Sequence, residues 1–257
     1  MTKMAFMFPG QGSFEAGMGR DVAEAIPEAM AVYEAGAIAS GLDLKRLCFE
    51  TPVEQLVETE VQQPALVATS LALNAALRAR GIHPDFVVGH SVGEFAALAA
   101  AQSLDDAAAI GLVRERGLAM AAAAKERPGS MAAILGLADE VVESLCRRII
   151  GVWPANYNCP GQIVVSGEAA AVDECCEQAE QEGAKRAIRL RVSGAFHSPL
   201  VARAASSSST PPARSAPTSW PGSSSSRTGS GRVGVGALPG PDRRGEVVLW
   251  RGPRARP

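Results

Sequence analysis

The chain has 257 residues, 47% of them hydrophobic but only 5% aromatic, and a net charge of −2. These values fit one large, helix-rich α/β domain, or such a domain with a smaller insert. No run approaches the ~18 apolar residues of a membrane span, and the first residues lack the apolar region and cleavage site of a secretion signal. Five cysteines form no C-x-x-C pair and argue against a disulfide framework. Three scattered histidines offer no metal cluster. The expected setting is the cytoplasm, with no membrane and no metal.

In chain order, residues 4–8 read as a buried strand, followed by the glycine-rich loop Pro9-Gly10-Gln11-Gly12-Ser13. Ligand sites in α/β sheets favour the C-terminal edge of such strands. The loop completes neither the dinucleotide nor the Walker pattern. Helical periodicity runs over 19–38 with a break at Pro27, which suits the first turn of a second helix. Thr51-Pro52-Val53-Glu54 has the form of a capping box that opens another helix. After Gln63-Pro64 a long apolar helix is expected to reach Arg80 and stop at Gly81. A short apolar strand, Phe86-Val87-Val88, then leads into Gly89-His90-Ser91-Val92-Gly93 and a helix to about Ala101. Strand, G-x-S-x-G and helix in that order form the context of a nucleophile elbow. The glycines let the chain reverse while Ser91 is held at a strained tip, and the following amides sit at a helix N-terminus that favours a developing anion. Another helix is predicted from Asp105 to about Ala124. Strands alternating with helices predict a parallel sheet.

From 131 the pattern changes to strand 131–137, helix 139–149, strands 152–158 and 162–167, helix 170–182 and strand 186–192. This β-α-β-β-α-β order is the ferredoxin-like motif. The expected organisation is a hydrolase-like parallel-sheet α/β domain over 1–128, a ferredoxin-like insert over 129–192, a return to the large domain over 193–202, and an unstructured tail over 203–257.

Six segments carry a resemblance: FPGQGS (8–13), QPAL (63–66), GHSVGE (89–94), Arg116-Gly117, NCPGQIVVSG (158–167) and GAFHSPL (194–200). With them, residues 1–202 resemble malonyl-CoA:acyl carrier protein transacylases and the related acyltransferase domains of polyketide synthases. The resemblance implies Ser91 as nucleophile and His197 as general base, since a serine hydroxyl needs a neighbouring imidazole to take its proton. His90 would be a supporting or pocket-lining group. The backbone N–H groups of Gln11 and Val92 would form the oxyanion hole, where one donor typically contributes ~3–4 kcal/mol. Arg116 would face the free carboxylate of a malonyl group, which a guanidinium can bind through both oxygens; read alone, Arg114-Glu115-Arg116 would be an exposed helix face. Phe196 points to malonyl rather than methylmalonyl units, and Gln63 would line the pocket. The implied reaction is ping-pong transfer of malonyl from malonyl-CoA to Ser91 and then to the phosphopantetheine thiol of an acyl carrier protein in fatty acid synthesis. It needs no cofactor.

The tail departs from this pattern. Nine arginines, no lysine and two acidic residues make 203–257 basic, an asymmetry that by itself suggests a nucleic-acid arm. Yet Ser, Arg, Pro and Gly make up 36 of these 55 residues, and Ile, Asn, Lys, Phe, Tyr and Met, whose codons are AT-rich, are absent. The bias fits a GC-rich gene read in a shifted frame from about codon 202, and no nucleic-acid partner is expected. A disordered basic tail or linker is the alternative. The competing readings of the whole are a malonyl transacylase, a polyketide-type acyltransferase, a serine hydrolase, and an inactive product with site residues present but not held in place. DNA past codon 202 is expected to continue the family pattern in another frame; sequencing that finds it in no frame overturns this account of the tail.

Overall fold

The computed structural model describes residues 3–202 and, beyond them, the backbone of 227–228, 231–237 and 246–251. The chain forms two compact units. The first holds residues up to Gly117 with the three strands of the tail, and the second holds 118–202.

In the first unit, β1 (Ala5–Phe8) and β2 (Phe86–Gly89) pair in parallel, with Phe8 opposite Gly89. Between them run α1 (Arg20–Ala25), α2 (Pro27–Ser40), α3 (Leu44–Phe49) and α4 (Thr59–Ala79). Pro27 stands at the first position of α2, where its missing N–H costs nothing. The core joins Tyr33, Leu44, Leu66, Leu71 and Val87 to Val92, Ile110 and Val113, the last two on α6 (Asp106–Glu126) and Val92 at the start of α5 (Gly93–Ala100).

Two helix starts differ from the sequence expectation. Thr51–Glu54 opens only a short 3-10 turn, because the Thr51 hydroxyl donates to the Arg46 carbonyl at 3.1 Å instead of capping a new helix. The long helix begins before Gln63-Pro64, at Thr59, and carries Pro64 in its interior. Helix α3 was not expected; its signal is Asp43, whose carboxylate accepts from the Arg46 N–H at 3.1 Å as an N-cap.

In the second unit, β3 (Ser130–Leu135), α7 (Asp139–Arg148), β4 (Val152–Cys159), β5 (Gln162–Gly167), α8 (Ala169–Gln181) and β6 (Arg186–Arg189) follow in order. The sheet order is β4-β5-β3-β6 with every pair antiparallel, the ferredoxin-like arrangement. Alternation along the strands divides its faces. Ala132, Ile134, Ile163 and Val165 pack with Leu145, Val172 and Cys175 of the helices. Met131 and Val164 face the other way and pack with Met120 and Phe196. Residues 193–202, expected to return to the large domain, therefore lie within this second unit, because Phe196 covers a sheet face that α7 and α8 leave open.

In the tail the described backbone comprises β7 (Arg227–Thr228), β8 (Gly231–Ala237) and β9 (Glu246–Arg251). These give a sheet order β1-β2-β9-β8-β7, with β9 antiparallel to β2 and Val87 opposite Trp250. Valine-rich sequence at 233–235 and 247–248 suits strands, and the open edge of β2 offers unpaired backbone groups to pair with. The rest of 203–257 lies outside the described residues.

A buried polar knot ties α2, α3 and α4 together. Tyr33 Oη donates to Thr69 Oγ1 at 3.1 Å, and Thr69 Oγ1 donates to the Ala65 carbonyl at 3.1 Å. Cys48 Sγ lies 3.5 Å from that carbonyl. Burial pushes the Cys48 thiol from its ordinary 9.0 up to about 12, against the opposing pull of the Thr69 hydrogen bond. The unfolded chain thus releases this proton at lower pH than the fold does. The contribution of Cys48 to stability is complete below pH 9 and is lost as pH rises from there through about 12. With a disulfide reagent at pH 8, exposed Cys159 is expected to react at once and Cys48 only on unfolding; fast labelling of Cys48 in the native chain would contradict the knot.

Candidate active site

Because β1 and β2 are parallel and in register, the chain leaves both strands at the same sheet edge. The loop Pro9–Ser13 and the turn His90–Val92 are therefore neighbours. His90 N–H donates to the Phe8 carbonyl at 3.0 Å. A Cβ at Gly10 would stand 2.5 Å from His90 Nδ1, so the exposed imidazole lies directly over a bare glycine. The turn itself is tight. Ser91 has φ 50, a left-handed conformation that a non-glycine residue adopts at a cost of order 1–3 kcal/mol. A Cβ on Gly93 would run into the Phe8 carbonyl oxygen, and one on Gly89 into the Gly93 backbone. The spacing G-x-S-x-G is thus a packing requirement: α5 starts in contact with the end of β1, and only glycine fits.

Four further side chains join Ser91 in the first unit. Arg116 Nη2 donates to Ser91 Oγ at 3.4 Å, and Arg116 Nη1 donates to Gln63 Oε1 at 2.5 Å. Gln63 Nε2 donates to Gln11 Oε1 at 2.9 Å, and Gln11 Nε2 reaches Thr59 Oγ1 at 3.4 Å. Gln63 is only 1% exposed and Thr59 is fully buried, while Gln11 and Arg116 at the ends are half-buried.

What brings Arg116 to this point is a defect in α4. Pro64 has no N–H, so the carbonyl of Glu60, four residues earlier, lacks its helical donor. Arg114 Nη1 supplies one at 2.6 Å. One turn along α6, a Cβ at Gly117 would lie 2.6 Å from Glu60 Cα, so glycine lets the two helices meet backbone to backbone. Arg114 and Gly117 fix α6 against the first turn of α4, and Arg116 between them is carried to Gln63 and Ser91. Sequence reasoning assigned no role to Arg114, Thr59 or Gly117. The available signal was the proline inside a helix, whose i−4 carbonyl must find a donor elsewhere.

Among the residues singled out in the sequence, the structure brings together Gln11, Gln63, Ser91 and Arg116 by hydrogen bonds, with His90 and Val92 flanking the serine. His197 belongs to the second unit. It too has a left-handed backbone, φ 57, and is exposed. The loop under it is held by Ser198, which donates to the Ala195 carbonyl at 2.6 Å and accepts from the Leu200 N–H at 3.3 Å. Among the described residues no cluster of His, Cys, Asp or Glu could hold a metal, and no helix is long and apolar enough to cross a membrane.

Together, a serine on a left-handed turn between a parallel strand and a helix, in a chain that also carries a ferredoxin-like unit, define an α/β protein with a strand–turn–helix elbow at Ser91. The profile of the acyl transferase domain matches residues 5–221. The malonyl CoA-acyl carrier protein transacylase of Bacillus subtilis is 44% identical over 209 residues, 80% of this chain and 66% of that protein. The solved malonyl CoA-acyl carrier protein transacylase of Coxiella burnetii superposes with a TM-score of 0.77 at 38% identity, covering 80% of this chain and 67% of that one. A type II polyketide malonyl-transacylase solved with its acyl-carrier protein also gives 0.77, at 37% identity, covering 80% and 68%. This chain belongs to the acyl transferase domain family. It spans just under two thirds of the length of the Bacillus subtilis relative.

Gly93→Ala is expected to destabilise the first unit by about 3 kcal/mol, because the clash is with backbone that cannot turn aside. Urea unfolding checks this; a change under about 0.5 kcal/mol would show that the elbow tolerates a side chain there.

Proposed function

We propose that the chain transfers a malonyl group from malonyl-CoA to the phosphopantetheine thiol of an acyl carrier protein, through an acyl-enzyme on Ser91, in the fatty acid synthesis of the cytoplasm. The observation that carries this reading is the guanidinium of Arg116 at 3.4 Å from Ser91 Oγ. A hydrolase of neutral esters has no use for a half-buried cation beside its serine. A donor of an acyl group that ends in a carboxylate does, since the fork of the guanidinium matches both carboxylate oxygens.

In this reading Ser91 Oγ attacks the thioester carbonyl while His197 takes the hydroxyl proton. The tetrahedral oxyanion is held by the N–H groups of Val92, at the start of α5, and of Gln11. Collapse breaks the carbon–sulfur bond, and the imidazolium returns the proton to the coenzyme A thiolate. The carrier thiol then repeats the sequence in reverse, giving its proton to His197 and taking the malonyl group from Ser91. Gln63 lines the pocket, and His90 supports the loop through Gly10. No cofactor takes part. Support for His197 comes from the segment GAFHSPL and its left-handed turn; support for the substrates comes from the relatives' names. The five free cysteines suit a reducing compartment.

The test is acyl-enzyme formation with radiolabelled malonyl-CoA on the full chain. Malonyl label is expected on Ser91 and absent in Ser91→Ala. Arg116→Met is expected to lower malonyl transfer about a hundredfold, as for loss of a charge-assisted pair near 3 kcal/mol, while acetyl-CoA gains relative to it. Equal reaction with acetyl-CoA and simple esters in the unaltered chain would favour a hydrolase instead.

A further inference from the structure

Gln63 is almost fully buried, where a primary amide is costly unless its polar atoms are engaged. Two of its partners, Arg116 and Gln11, belong to the proposed site. A guanidinium has donors and no acceptor, so the atom of Gln63 facing Arg116 must be the carbonyl oxygen. That choice turns the Gln63 nitrogen toward Gln11, which must then present its oxygen to Gln63 and its nitrogen to Thr59. The chain of three hydrogen bonds therefore has one direction, set by the cation at its head.

The far end of this chain is the loop expected to supply an oxyanion donor. Gln11 lies between Gly10 and Gly12, and Gly12 has φ 96. Neither neighbour stiffens the peptide, and the Gln11 side chain is gripped by Gln63 and Thr59. Resting on the function proposed above, we infer that Gln63 is a positioning residue that couples carboxylate recognition at Arg116 to the placement of the Gln11 amide. Loss of Arg116 takes a donor from the buried Gln63 oxygen, and a turn of Gln11 takes an acceptor from the Gln63 nitrogen. One residue thereby sets both the preference for an anionic acyl group and the rate at which Ser91 is acylated.

Gln63→Met keeps length and bulk but removes both hydrogen bonds. In single-turnover acylation of the full chain, it is expected to slow acetyl transfer about tenfold, through the loosened Gln11 loop, and malonyl transfer about a hundredfold. Both losses appear in the rate rather than in KM, and the malonyl-to-acetyl preference shrinks about tenfold. Gln63→Glu still accepts from Arg116, and its second oxygen accepts from a turned Gln11 amide. It is expected to restore acetyl transfer to near the unaltered rate while malonyl transfer stays low, because the new carboxylate neutralises Arg116. Equal losses for both donors in both variants, following thermal stability, would make Gln63 merely structural and overturn the inference. A loss confined to malonyl with acetyl intact in Gln63→Met would overturn the link to the Gln11 loop. Should the unaltered chain take up no malonyl group, the proposed function fails while the inference is still decided by unfolding. Gln11→Met and Arg116→Met, singly and combined, should then be non-additive by at least about fivefold in the unfolding constant with Gln63 present and additive in the Gln63→Met background. Additivity in both backgrounds overturns it.

Discussion

The carbonyl oxygen of Glu60 is the point on which the candidate site depends. A proline in mid-helix normally costs about 3 kcal/mol or more, partly through the hydrogen bond it deletes. Here the deleted bond is replaced from outside the helix by Arg114, so that a local defect becomes a tertiary contact. The replacement fixes the height of α6 along α4, and Gly117 allows the separation to close to backbone contact. With both settled, Arg116 falls beside Gln63 and Ser91 without further choice. A straight, fully bonded α4 would have no carbonyl to offer and no reason to hold α6 in this register.

The elbow obeys a constraint of the same kind. Parallel pairing of β1 with β2 brings Phe8 against the start of α5, and the glycines at 89 and 93 are the residues that this approach admits. That is why the motif could be read from sequence: its residue types are imposed by sterics local to the chain. The ferredoxin-like unit was legible for a related reason, since its strands alternate and its helices have an apolar face. Arg116 was legible only through resemblance, because an arginine in a charged run looks like a solvated face until a second helix is placed against it.

What escaped the sequence reading depends on contacts distant along the chain. The start of α4 at Thr59 was hidden because proline is compatible with a first turn and is read as one, while the donor that makes it tolerable in the interior, Arg114, lies 54 residues beyond the Glu60 carbonyl it serves. Thr51 carried the right residue for a cap, but its hydroxyl found the Arg46 carbonyl first. In the tail, serine, arginine, proline and glycine give an average that argues against a packed core, with two valine-rich stretches inside it. The family profile runs to 221, so β7, β8 and β9 all lie beyond the matched residues.

Acyl transfer from a malonyl donor has two separate electrostatic needs. A full negative charge on the acyl chain has to be met before reaction, and a transient one on the carbonyl oxygen during it. Meeting the first with a rigid cation risks drawing the oxyanion toward the wrong partner, since Arg116 stands within reach of Ser91 Oγ. On the proposed function, the Gln63–Gln11 chain answers this risk. It engages one arm of the guanidinium in a buried hydrogen bond and spends the polarisation that results on orienting the loop where the transient charge is expected. A lysine at 116 could supply the charge, but as a compact point donor it lacks the second planar arm needed to hold Gln63 and face an incoming carboxylate together. On the proposed function, the use of arginine, the burial of Gln63 and the two glycines around Gln11 serve a single arrangement, in which recognition and stabilisation share one set of donors.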